Sequence, residues 1–416
     1  MNKVGFFYAD ITPNRPVYLD GYGDRSKPSE GVNDPLHLRI VALEDQNTQR
    51  VVIVTADMFA FPKALSERIR QWIAPLPVLL NASHTHCAPV LETRTYMPEW
   101  EVDHAYVHEL EDTLKKGISE ALADLQPAAI KFGVSDIPIG INRRRRNNHG
   151  QVEMRPNPNG LYDAAVPVFA FYRNKQLAAL LYSCNSHPTS RGGQFVSADY
   201  PGAIAKHLPV PALFAQGACG SAKPCFFDHD QMLFFSANQK QLDELGRNTA
   251  NKIMELVQSE KLQEIDLALS HYAVDFNLPL DVAQLPPKES YQAIIDNPKS
   301  FLFEINVAKT FLHWQTNGIL PTACGMRLGN FRITDGIRII TLSGEITAEA
   351  AELIKKRYPE EKVFVWGHSP YTAAYIPSTV MLSERGYEAC DSQQFYALPA
   401  PFTTEIDLII QRHLKD

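Results

Sequence analysis

The chain has 416 residues, 45% of them hydrophobic and 21% charged, which is enough apolar length for a large buried core. Its 40 basic and 47 acidic residues leave a net charge of -7, which argues against a general binder of nucleic acid or of membrane surfaces. No apolar run of about 18 residues occurs, and the first ten residues hold no apolar signal core, so a cytoplasmic protein without membrane insertion is expected.

Along the chain, short β-branched or apolar runs alternate with amphipathic helical patterns. Strands are expected at 38–43, 51–55 and 78–81, with a helix over 63–73 between the last two. A helix over 104–125 follows, in which Tyr106, Leu110, Leu114, Ile118 and Leu122 recur every fourth residue as one apolar stripe. The arginines Arg143, Arg144, Arg145 and Arg146 fall in a turn-rich stretch, where the last three read as a solvated charged turn. Strands at 129–133, 166–172, 177–182 and 212–216 come next, with helices at 201–207 and 239–257. Residues 278–330 carry Pro279, Pro286, Pro287, Pro298 and Pro321 with poor periodicity, and read as an insertion or lid. Strands at 337–342 and 363–366 flank a helix at 347–357. Strands separated by helices give an α/β fold, or a mixed α+β one, as a single layered catalytic domain over 1–416. The six cysteines are scattered without a C-x-x-C pair, so reduced thiols are expected rather than a disulfide framework.

The chemistry concentrates where strands stop. The run 77–81 ends directly in Ser83-His84-Thr85-His86, which puts two imidazoles at the carboxyl edge of a sheet, the edge where ligands collect in open α/β folds. Such a pair can supply one metal ligand and one catalytic group, and it can equally be an ordinary surface or core pair. His187 follows the strand at 177–182, held at a turn by Pro188. Glu345 follows the strand at 337–342, where Gly344 lets the backbone turn sharply. Alone, His187 reads as a satisfied buried histidine and Glu345 as a charge at a helix start. Together, two histidines and a glutamate are a ligand set of catalytic zinc, with a position left open for water. Asp199 and Asp57 each read as a helix cap or as a residue orienting a metal-bound histidine. His149, His229 and His368 read as surface histidines.

A series of short motifs then resembles the neutral, non-lysosomal ceramidases through their amino-terminal catalytic domain. They are Ala9-Asp10-Ile11-Thr12-Pro13, Gly21-Tyr22-Gly23, Gly31 to Leu36, Ser83 to His86, Ile141-Asn142-Arg143 and Ser186-His187. Ser197-Ala198-Asp199, Ala215-Gln216 with Gly220, Gly344 to Thr347, Tyr375 to Ser378 and Gly386-Tyr387-Glu388 complete them in order. The resemblance implies that His84, His187, Glu345 and Tyr375 hold zinc (Zn2+). It also implies that His86, Arg143 and Tyr387 surround the reacting carbonyl. Two departures stand out. Lys223 occupies the place of a serine that the ceramide-cleaving members require, a role not carried to Ser221. The chain also stops at Asp416 without the family's immunoglobulin-like domain. The expected activity is therefore zinc-dependent cleavage of an N-acyl amide in a small-molecule substrate rather than ceramide. Lys223 and Arg144 are candidates to receive an anionic group on it. An esterase or deacetylase on the same site, or a zinc-stabilised binding protein, are the alternatives. The oligomeric state is not legible.

Overall fold

The computed structural model describes residues 1–415. Strand His37–Glu44 shows how the first sheet comes to be buried on both faces. Side chains alternate along a strand. Leu38, Ile40 and Ala42 therefore meet the helices Lys63–Ile73 and His104–Ala123, while Val41 and Leu43 turn inward. The sheet runs Val78–Ala82, Arg50–Ala56, His37–Glu44, Lys3–Asp10, Gln126–Pro127.

A second sheet runs Ala212–Gln216, Gln176–Cys184, Ala165–Arg173, Ala129–Asp136, Gln263–Ile265, and helices Asp199–His207 and Gln239–Val257 cover its outer face. A third, Ser270–Pro279, Ala323–Thr334, Ile337–Leu342, Lys362–Trp366, is covered by Ala348–Lys355 and Ile406–His413. The inner faces of all three meet in one apolar cluster that includes Val41, Phe169, Leu213, Phe331 and Ile339.

Each sheet ends in one parallel pair joined through a helix, because a parallel connection needs a crossover too long for a hairpin. The pairs are Arg50–Ala56 with Val78–Ala82, Gln176–Cys184 with Ala212–Gln216, and Ile337–Leu342 with Lys362–Trp366. Their carboxyl ends converge on the candidate site.

Three stretches differ from the sequence reading. The arginine run belongs to a strand, Gly140–Arg146, paired with Val152–Asn157 and Ala222–Pro224, so Arg144 is buried and only Arg145 and Arg146 are exposed. Charge hid that strand, because its guanidinium groups are matched by distant carboxylates. Residues 323–330 are not part of an excursion but the middle of the third sheet, in register with Ser270–Pro279 from Ser270↔Arg332 to Pro279↔Ala323. Gly325 and Gly329 obscure its alternation, and a Cβ at Gly329 would lie 2.5 Å from Thr341 Oγ1. The true excursion between these strands holds the helices Lys288–Asp296 and Leu302–Asn317. The long helix stops at Ala123, short of 125, with Asp124 as its C-cap and Gln126–Pro127 returning to pair with the first strand. Among the described residues no helix is long and apolar enough to cross a membrane.

Candidate metal centre and its cleft

His84 is two residues beyond Val78–Ala82, in a left-handed backbone conformation with φ of 66°, and is completely buried. Its Nδ1 faces the Phe59 carbonyl at 2.9 Å. His187 Nδ1 faces the Cys219 carbonyl at 2.8 Å and the Ala222 carbonyl at 3.2 Å. A ring nitrogen against a carbonyl carries the proton, so both Nε2 atoms present lone pairs, the arrangement in which histidines bind metal. Both lone pairs meet Glu345: Oε2 lies 2.7 Å from His187 Nε2 and 3.3 Å from His84 Nε2. Burial and the Arg143 charge push His187 down to about 4, so its imidazole is neutral.

Tyr375 enters from a fourth direction. Glu345–Ile346 and Tyr375–Ile376 form a two-stranded parallel ladder in which Glu345 stands opposite Tyr375. The Tyr375 hydroxyl lies 3.2 Å from His187 Nε2 and accepts from Arg143 Nη2 at 3.0 Å. Burial and Glu345 push this phenol up, with Arg143 opposing them.

Electron-rich atoms gathered at 2.7–3.3 Å repel unless a proton or a cation lies among them. Tetrahedral zinc with bonds of about 2.0–2.2 Å keeps its ligand atoms about 3.3–3.6 Å apart; the separations of 3.3 Å between His84 and Glu345 and 3.2 Å between His187 and Tyr375 are close to that, while His187 and Glu345 are closer, at 2.7 Å. The donor set of two imidazoles, a carboxylate and a phenol thus fits a divalent cation. His84, His86 and His187, and separately His84, Glu345 and His368, also offer ligand atoms within 4.8 Å of one another.

Around the donors, the residues singled out in the sequence divide. His86 comes to the cluster, Nε2 at 3.3 Å from His84 Nε2, while its Nδ1 is buried with no hydrogen-bond partner. Burial pushes it well below the ordinary histidine range, with His84 and His187 adding to the effect. Tyr387 lines the cleft with its ring centroid 5.5 Å from that of Tyr375. Arg143 lies behind Tyr375: its Nε donates to Glu388 Oε1 at 2.7 Å, its Nη2 donates to the Tyr375 hydroxyl, and its guanidinium lies 5.7 Å from the centre of the Tyr387 ring. Arg144 is buried and does not line this cleft. It spends its donors on Glu388 Oε2 at 2.7 Å, on Glu384 and on the Arg385 carbonyl, so the solvated turn expected of it falls and its charge is already matched by carboxylates. Lys223 lines a neighbouring cleft.

His368 is the clearest correction. Far from being a surface histidine, it is fully buried and stacks on His84 with ring centroids 3.9 Å apart, its Nε2 3.3 Å from Cys219 Sγ. It follows strand Lys362–Trp366 by two residues, as His84 follows Val78–Ala82, so the signal that marked one marks the other. Tyr396, also missed, donates its hydroxyl to Glu345 Oε1. Nothing in its local sequence sets it apart. Asp199 is the first residue of its helix, and its Oδ1 accepts the amide of Tyr200 in the first turn at 2.7 Å. Completely buried, it accepts the amides of Ser190 and Arg191 and so holds the loop that follows His187. Asp57 accepts the His37 amide and pairs with Arg39.

The cleft above the donors has a volume of about 320 Å³ and is walled by Tyr22, Phe59, Tyr96, Phe303, Tyr387, Phe395 and Tyr396. Phe303 comes from the helical excursion. Gly21, with φ of 97°, makes room on the near side, where a Cβ would fall 2.5 Å from the His86 ring. A larger cavity of about 600 Å³ lies elsewhere, between Tyr8, Arg39 and Leu242, and contains none of these groups.

The arrangement has solved counterparts. Neutral ceramidase from Pseudomonas aeruginosa superposes with a TM-score of 0.73 at 17% identity, over 99% of this chain and 73% of that one. A ceramidase complexed with C2 superposes equally well, at 0.73 and 16% identity, over 99% and 74%. This chain has the neutral ceramidase fold. At such identities the likeness is one of fold, and no family model and no curated protein matches the sequence. The ceramidase fold nevertheless accounts for the connectivity, since nearly the whole chain takes part in the superposition.

Proposed function

We propose that the protein is a zinc-dependent amidohydrolase that cleaves the N-acyl bond of a small substrate. The observation that carries this reading is the meeting of His84 Nε2, His187 Nε2, Glu345 Oε2 and the Tyr375 hydroxyl, each delivered by a different segment of the ceramidase fold. These four residues would hold zinc, which would supply Lewis acidity towards the carbonyl oxygen and towards water, whose pKa zinc lowers from about 16 to about 7.

The chain's own residues do the rest. Water adds to the amide carbonyl, the carbon–nitrogen bond breaks, and one proton must travel from the water to the leaving amine. His86 serves that transfer, being neutral, beside the donors and on the cleft wall. Tyr387 donates to the oxygen that gains charge. Arg143 acts through Tyr375, which it orients, and is itself oriented by Glu388. The Phe59 and Cys219 carbonyls keep the two ligand histidines in the metal-binding tautomer.

A cleft of about 320 Å³ is at the small end of the range for ligand pockets, which runs from about 300 to about 1,000 Å³, and this favours a compact N-acyl compound over ceramide. Six free thiols, four of them buried, suit a reducing, cytoplasmic setting. The deciding experiment pairs metal analysis of the purified protein with hydrolysis of a panel of N-acyl amides and matched esters. Bound zinc with amide turnover, both lost in E345Q, is the expected result. Turnover of esters alone would make it an esterase, and bound zinc without any turnover would make it a binding protein.

A further inference from the structure

Two clefts share Tyr22. Its ring packs on His86 with centroids 4.9 Å apart, and its hydroxyl donates to the Arg191 carbonyl at 3.2 Å. Tyr22 lines the cleft above the donors and also a second one of about 290 Å³, to which Lys223 belongs.

Backbone pairing sets the position of Lys223. It stands opposite Ile141 in the ladder between Ala222–Pro224 and Gly140–Arg146, next to the Ala222 carbonyl that faces His187. Its ammonium lies 5.1 Å from the Phe234 ring and has neither a hydrogen bond nor an ion pair among the described residues. Burial and the Arg143 charge push its pKa down to about 8 against the opposing charge of Asp199, which is itself taken up by the amides of Ser190 and Arg191. A cation withdrawn from water in this way costs free energy until an anion meets it. The same cleft holds Arg25, whose guanidinium is bonded to the backbone carbonyls of Asp20, His86 and Gly193 and to no carboxylate. One carboxylate, Asp24, lies where the two clefts meet and makes no ion pair with Lys223.

Resting on the amidohydrolase reading, we propose that Lys223 receives the carboxylate of the substrate, so that the protein acts on N-acyl compounds bearing an acidic group, of which N-acyl amino acids are the simplest. Such a molecule would lie across Tyr22, with its amide beside His86 and its carboxylate in the second cleft.

The first test compares kcat/KM for N-octanoylglycine and for its neutral glycinamide twin, in the wild type and in K223M. The wild type is expected to prefer the acid by about tenfold or more, the usual weight of one charge-assisted hydrogen bond. In K223M that ratio falls to about one, and in K223R it recovers in part. Equal use of the two compounds by the wild type, or an undiminished ratio in K223M, would overturn the proposal. The second test needs no turnover: inorganic phosphate is titrated calorimetrically into the zinc-loaded wild type and K223M. Binding at least about tenfold weaker in K223M supports an anion site at Lys223, even if neither octanoyl compound is hydrolysed and the amidohydrolase reading fails. Absent or equal phosphate binding removes the site. Binding that depends on Lys223 while acid and amide are hydrolysed alike would make it a site for free anions and end the substrate assignment.

Discussion

The imidazole of His368 lies flat against that of His84, with ring centroids 3.9 Å apart and planes 23° from parallel. His84 is thereby held from two sides, by the Phe59 carbonyl at its Nδ1 and by His368 across its face. Groups that orient a ligand in this way typically alter metal affinity by about 10–100-fold. H368A should therefore bind zinc at least about tenfold more weakly in competition with a chromophoric chelator. Unchanged affinity in a folded H368A protein would show that His368 only fills space.

The two histidines of the Ser83 to His86 motif should separate on mutation. H86A is expected to keep its zinc and to lose about 10²–10⁴-fold in turnover, the usual weight of a proton-transferring histidine. H84A should lose the metal itself. Metal analysis beside steady-state kinetics decides between them, and zinc loss in H86A equal to that in H84A would make His86 a ligand.

Glu388 accepts from both Arg143 and Arg144 at 2.7 Å, and all three side chains are buried. Burial raises its carboxyl, but the two guanidinium groups outweigh that and hold it below the usual carboxylate range. Removing one member of a buried charge cluster strands the others, at a cost of about 3–5 kcal/mol. E388A should lower the unfolding free energy by about that amount in urea titration. It should also reduce turnover, since Arg143 would no longer be aimed at Tyr375.

Lys223 carries its charge below about pH 8 and loses it above. The preference for an acidic substrate over its neutral twin should accordingly be full at pH 7 and decline as pH rises through about 8. A ratio flat from pH 7 to 9.5 would show that Lys223 takes no part in the discrimination.

Removal of zinc by a chelator should abolish turnover and lower the melting temperature, because the donors are buried and repel one another without a cation. Readdition of zinc should restore both. A protein as stable without metal as with it would place the cation outside this cluster.

Much of the framework was legible because strands buried on both faces read as apolar runs. Residues 337–342 and 212–216 are strands with those bounds, and 63–73 and 239–257 are helices with theirs. His84, His187 and Glu345 stood out because each follows such a run, whereas Tyr375 came only from the family resemblance. What escaped was polar and non-local. Gly140–Arg146 is a strand whose charges find Glu388 and Glu384 some 240 residues later, a pairing that local pattern does not carry. Tyr396 reaches Glu345 from a short 3₁₀ turn with no periodicity of its own. His368 also follows a strand, but no partner motif accompanies it, and the ring it packs on, that of His84, belongs to a distant part of the chain.

The facing of Glu345 and Tyr375 has a consequence for how this site tolerates change. Their separation in space is set by two residues of main-chain register, not by the helix, strand and loop that join them. Lengthening or recasting that crossover would leave the carboxylate and the phenol where they are. A single-residue slip in the ladder would carry one of them to the wrong face and dismantle the cation cage without touching any of its side chains.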